Sequence, residues 1–133
     1  MSVPLLAPDM TGTTLFPTAT SPFYSFTNNY NQVIILENSK GYWAKFNGNQ
    51  SQTISGTPVN SNQISVVQGW NLIGIYDSDI PTISITSSPP NIISSPFYGY
   101  EVGYVISDTL KVGKGFWVKT NADGIIELNN VSK

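Results

Sequence analysis

At 133 residues the chain has the length of one domain, and its 40% hydrophobic content is enough to bury a core without disulfide or metal staples. Its basic residues are six lysines with no arginine, set against eight acids for a net charge of −2, which excludes the basic stripe and guanidinium forks that nucleic-acid binding requires. With neither cysteine nor histidine there is no thiol nucleophile, no imidazole base and no ordinary zinc or haem ligand.

Charged residues make up only 11% of the chain, and 16 serines, 12 threonines and 13 asparagines fill the gap. Aromatic residues at 12%, with many Val and Ile, supply the apolar surface that disordered chains lack. No apolar run approaches the roughly 18 residues of a membrane helix, so membrane insertion is not expected.

In chain order, Met1-Ser2-Val3-Pro4-Leu5-Leu6 carries neither a basic segment nor a long apolar stretch and does not read as a secretory signal. The chain is therefore expected either to be cytoplasmic or to be a piece of a longer protein. No helical period persists over about 10 residues, which leaves room for one short helical turn near Ala7–Thr14 or Ser87–Ile93. The stretch 40–46 alternates, with Tyr42, Ala44 and Phe46 on one face and Trp43 and Lys45 on the other, and predicts a strand. Asn47-Gly48 predicts a tight hairpin turn, with Ser51 to Ser55 as the return strand. Gln63 to Val67 reads as another strand, and 69–76, apolar on both faces, reads as a central one. Pro81, Pro89, Pro90 and Pro96 confine 77–97 to loops and edge strands. A second hairpin follows, from Gly115 to Thr120, a turn at Asp123-Gly124, and Ile125 to Leu128.

The chain repeats itself. Ser21-Pro22-Phe23-Tyr24 returns as Ser95-Pro96-Phe97-Tyr98, Tyr30 as Tyr104, and Leu36 as Leu110. Lys40-Gly41-Tyr42-Trp43-Ala44-Lys45 returns as Lys114-Gly115-Phe116-Trp117-Val118-Lys119, always 74 positions on. Three blocks in one register describe two copies of one unit, about 1–62 and 63–133, joined near Asn60 to Gln68.

These blocks, together with Gly69-Trp70-Asn71-Leu72-Ile73-Gly74, resemble a duplicated β module of bacterial secreted proteins whose copies read GWNLIG … GY … L..GKGYWVK. The resemblance covers nearly the whole chain. It implies a place near the C-terminus of a large multidomain surface or secreted protein, often shortly before a type IX sorting tail, and it carries no catalytic motif. Val3 aligns with Ile75 at an offset of 72, so the counterpart of Trp70-Asn71 would precede Met1. The first copy thus lacks its Gly-Trp-Asn, and Ser2 to Leu5 should take the place that Gly74 to Asp77 hold in the second.

Chemistry would have to rest on carboxylates, Lys, Tyr, Ser or Thr. The acids are Asp9, Glu37, Asp77, Asp79, Glu101, Asp108, Asp123 and Glu127, and no pair recurs in a buried apolar context in both copies, as a glycosidase would need. They read as solvated acids. Asp77-Ser78-Asp79 lacks the glycine and distal glutamate of an EF-hand loop, and Gly113-Lys114-Gly115 lacks P-loop spacing.

The aromatic residues are more informative. Recurrence in both copies points to packing for Phe23/Phe97 and Tyr24/Tyr98. Trp43 and Trp117 share a face with Lys45 and Lys119, so alternation turns them away from the apolar side. Either a lysine stem or loop covers each indole, or each offers a flat face for a sugar ring. With Tyr100, Tyr104 and Tyr76, near loops or strand ends, they are the candidate ligand-binding residues.

These observations predict an all-β fold, sandwich-like or barrel-like, forming a single domain over 1–133 with internal twofold pseudo-symmetry. The expected function is a non-catalytic, extracellular carbohydrate-binding accessory module of a secreted or cell-surface protein. It would need no cofactor, metal or catalytic residue, and its partners would be a polysaccharide or glycan and the adjacent domains of its parent chain. The alternative is a structural or interaction spacer module with no small ligand.

Overall fold

The structure, a computed structural model, describes residues 1–48, 52–59, 61–100 and 103–129. The chain is all-β, and its several small sheets are consistent with a β-sandwich.

The first half holds β1 (Leu5–Leu6), a single helical turn α1 (Gly12–Leu15), the hairpin of β2 (Phe23–Thr27) and β3 (Asn29–Val33), and β4 (Thr57–Pro58), which returns to pair with β1. The second half holds β5 (Gln63–Val66), β6 (Gly69–Ile73), β7 (Ile80–Pro81), a 3-10 turn at Thr82–Ser84 and β8 (Ile85–Ser88). There follow β9 (Phe97–Tyr100), β10 (Tyr104–Ser107), β11 (Thr109–Leu110), β12 (Phe116–Thr120) and β13 (Gly124–Leu128). Two antiparallel sheets dominate this half, one ordered β10-β9-β12-β6 and the other β5-β13-β8.

Alternation decides which side chains enter the core. On β12 Phe116, Val118 and Thr120 point inward, and on β13 Ile126 and Leu128 do the same. The apolar four of these meet Ile64 and Val66 of β5, Phe97 of β9 and Leu110 in one cluster. A second cluster in the first half joins Val3, Ala7, Leu15, Phe16, Phe23, Leu36 and Tyr42. The Tyr42 hydroxyl is not orphaned, because it accepts the Glu37 N–H at 2.7 Å, and burial pushes its pKa up.

The same bonds recur 74 residues apart. Lys45 N–H donates to Ser21 Oγ at 2.8 Å, and Lys119 N–H to Ser95 Oγ at 2.8 Å. Tyr24 bridges to Trp43 as Tyr98 does to Trp117. The halves also exchange backbone hydrogen bonds where they meet. Ser2 N–H donates to Gly113 O at 2.9 Å, and Gly74 N–H donates to Ser39 O at 3.1 Å. Ser2 and Gly74 thus donate to carbonyls 74 positions apart, and the residues that follow them, Val3 and Ile75, are both fully buried. The crossing is too close for a side chain at Gly74, where a Cβ would run into the Ser2 side chain, and at Gly41, where it would lie 2.9 Å from Ile73 O.

Several expectations need correction. The stretch 40–46 forms isolated bridges at Lys40, Gly41, Trp43 and Phe46 and no continuous strand, because its partners change from Ile73 to Ser2 to Tyr24 to Ala19 along its length. Ser51 lies outside the described residues, and 52–55 form no strand; the pairing moves downstream to β4. β6 is an end strand of its sheet, with one bridge beyond it to Lys40, and not a central one. The hairpins β2–β3 and β9–β10 were not anticipated as strands. The first turns at Asn28, whose φ of 62° suits asparagine. The helical turn forms near the first of the two expected positions; in the second window, β8 carries the chain to Ser88.

Candidate functional site

The outward face of the four-stranded sheet is aromatic. Register places Trp117 of β12 beside Leu72 of β6 and Tyr98 of β9, with Lys119 opposite Trp70 and Tyr104 opposite Tyr100. Since residues two apart share a face, Trp70, Tyr98, Tyr100, Tyr104, Trp117 and Lys119 stand on the side away from the core. The β2–β3 hairpin of the first half brings Phe26 and Tyr30 against them.

The contacts are reciprocal. Trp117 of the second half packs edge-on against Phe26 of the first, with centroids 4.9 Å apart and planes at 73°. Trp43 of the first half packs against Tyr100 of the second at 4.9 Å and 76°. Phe26–Tyr30 and Tyr100–Tyr104 pairs, each at 5.2 Å, complete the two groups. Trp70 extends the row, 6.1 Å from Tyr98 and 6.5 Å from Trp117, with the Lys119 ammonium 6.0 Å from its ring. These edge-to-face contacts follow the ring quadrupole and hold the rings at fixed angles.

The two groups join at Tyr104. Its pKa is raised, chiefly by partial loss of solvent around the phenol and then by the Tyr30 and Tyr100 hydroxyls beside it. The Trp117 indole N–H acts in the opposite sense, favouring the phenolate, although among the described residues neither it nor the Trp43 N–H has a hydrogen-bond partner of ordinary length.

The five residues singled out from the sequence have different fates. Tyr100 and Tyr104 are exposed, at 53% and 57%, and lie in the row. Trp43 and Trp117 do turn away from the apolar clusters, as alternation requires, but Trp117 is only 9% exposed because the facing half covers it. Trp43 is half-buried in the same way. Tyr76 joins none of the ring contacts found among the described residues; it packs on the apolar cluster of the second half and donates its hydroxyl hydrogen to Gln63 O at 2.7 Å. Tyr24 and Tyr98, expected in the core, are half-buried and point out of it, one position out of phase with the buried Phe23 and Phe97.

Sequence reasoning missed Trp70, which is 41% exposed, and Phe26 and Tyr30, the latter 50% exposed. Trp70 precedes Asn71, which is buried and bonded through its amide to Val67 and Gly69 carbonyls, and that alternation was the available signal. Asn29, Asn31 and Gln32 on β3 are exposed, and Gln32, two positions from Tyr30, shares its face of the strand. Of the acids, Asp79 accepts the Val112 N–H and Asp123 the Gln68 N–H, both at 2.8 Å, so each fastens a loop. No protein-family model matches this chain, and no curated protein or solved structure matches it either.

Proposed function

We propose that the chain is a non-catalytic carbohydrate-binding module, acting outside the cell as an accessory part of a longer secreted or surface protein. The observation that carries this reading is the contiguous aromatic row, in which Trp70, Tyr30, Tyr100 and Tyr104 keep exposed rings. Exposed aromatic patches mark binding surfaces when they are contiguous. The apolar C–H face of a sugar stacks on such rings, and an amide on the same strand face as Tyr30, that of Gln32, gives its hydroxyls direction. Trp43 and Trp117 are the supports of the row, and Trp70 and the three tyrosines are its contact surface. The bonds that recur 74 residues apart support a second part of the proposal, that the two repeats are related by a pseudo-twofold axis through the Ser2–Gly74 crossing.

Retention on insoluble cellulose, xylan, chitin, mannan and α-glucans tests the reading. At least one of these should hold the intact chain. Trp70→Ala and Tyr104→Ala should each weaken binding about 10-fold or more, as loss of an interface aromatic does, with melting nearly unchanged. An intact chain that passes through all five matrices overturns it and leaves the interaction-module reading, which the exposed Ile34 and Ile106 favour.

A further inference from the structure

The rings of the row are not set in one plane. Among the described residues, neighbours in it meet at angles from 56° to 88°. The exposed pair at its β9–β10 end, Tyr100 and Tyr104, have centroids 5.2 Å apart and planes turned by 74°. At the other end Trp70 stands at 82° to Trp117, which stands at 87° to Tyr30. An edge laid against a neighbour's face is the arrangement the ring quadrupole favours. These contacts fix the turn from ring to ring and leave little side-chain freedom to lose on binding.

A sugar stacks by laying its apolar C–H face parallel to an aromatic ring. Sugars on the face of a crystalline polysaccharide lie in one plane, so only parallel rings can stack on two of them at once. Tyr100 and Tyr104 cannot both lie flat on such a face. The sugars of a free glycan turn against one another about their glycosidic bonds, and different units can meet rings that are themselves turned. Tyr100 also lines a cleft, with Trp43 and Gln52 of the first half and Ser107 and Lys111 of the second. A single chain can follow the row into that cleft, and a flat crystal face cannot enter it.

We infer that the ligand is a single glycan chain free to twist, as in soluble, swollen or amorphous polysaccharide, and not the flat face of a crystalline one. The inference rests on the carbohydrate reading and adds to it the physical form of the substrate. Tyr100 and Tyr104 stack on different sugars of one chain, and the angle between the two rings selects how far that chain turns from one to the other.

The test starts from whichever of the five matrices retains the chain. The matching hexasaccharide (cellohexaose, xylohexaose, chitohexaose, mannohexaose or maltohexaose) should bind in solution, read by tryptophan fluorescence. It should also elute the chain from the matrix, as mass action requires. Where the matrix is cellulose or chitin, the acid-swollen form should hold the chain and the crystalline form should hold it far less. Tyr100→Ala and Tyr104→Ala should each weaken the hexasaccharide about 10-fold, as loss of an interface aromatic does, with melting nearly unchanged. If Tyr100→Ala lowers the melting temperature, Tyr100→Leu, which removes the flat ring and keeps apolar bulk, serves in its place. Three outcomes overturn the inference and leave the carbohydrate reading standing: retention that the hexasaccharide does not reverse, retention as strong on the crystalline form as on the swollen one, or a hexasaccharide affinity that depends on only one of the two tyrosines. A chain held by none of the five matrices overturns both.

Discussion

In the first half Leu36 and Tyr42 are as deeply buried as their counterparts Leu110 and Phe116 in the second, but further along the chain the match ends. Ala44 and Phe46 are half-buried where Val118 and Thr120 are sealed, and Ile54 is half-buried where Leu128 is sealed. The side chains themselves are comparably apolar, so composition does not account for the difference. The second half has β5 and β8 on either side of β13, and the segment 52–55 forms no strand with any neighbour. Burial at these positions is therefore a property of the neighbouring strands, and an alternating pattern acquires its strand only where a partner is in reach.

That comparison can be broken most sharply at the tryptophans. Trp117→Ala should cost about 3–5 kcal/mol, the usual range for a buried large aromatic, and Trp43→Ala clearly less, because Trp117 is the more enclosed of the two. Urea unfolding with unchanged m-values is the measurement. Equal costs would mean that the halves cover their indoles equally.

A smaller contrast is expected at the ends of the paired segments. Leu128→Ala should cost roughly 2–4 kcal/mol through lost burial and the cavity left behind, and Ile54→Ala about 1 kcal/mol or less, since its site already opens on a cleft. Similar losses at both positions would show that the first half is sealed in solution.

The smallest effect concerns pH at the junction. Tyr104 has a folded-state pKa raised above the ordinary tyrosine value, so the folded chain keeps a proton that the unfolded chain has lost. Its contribution to stability is present in full below about pH 10 and disappears as the pH climbs through the raised value. Melting temperature should begin to fall above about pH 10, and Tyr104→Phe should make that fall shallower; an identical alkaline profile for the variant would remove Tyr104 from the account.

Much of this architecture is visible in the residues. Period-two alternation separated Trp117 and Lys119 from Phe116 and Val118, and the 74-residue register matched Ser21 with Ser95 before either hydroxyl was seen to accept a lysine N–H. What alternation does not report is the identity of the layer above. It put Trp117 on the outward face without indicating that Phe26 and Tyr30, some 90 residues away in sequence, would lie over it. The same limit hid Trp70, since a run that is apolar on both sides reads as central, and only the sheet order reveals β6 as an end strand. Tyr76 misled for the opposite reason: a strand-end position gives no hint that its hydroxyl is engaged by Gln63 O.

The crossing near Ser2 also has a consequence in time. The Ser2 hydroxyl donates to Lys114 O at 2.6 Å, across 112 residues of chain. At roughly 5–20 residues per second, a ribosome takes on the order of ten seconds to produce that partner after Ser2 has been made. Throughout that interval the opening segment has no completed seat, and Phe26 and Tyr30 wait for the indole they will cover. Pairings so distant in sequence form slowly even in a finished chain. The apolar surface of Phe26 and Tyr30 that Trp117 meets in the folded chain is therefore uncovered until the second half has been made.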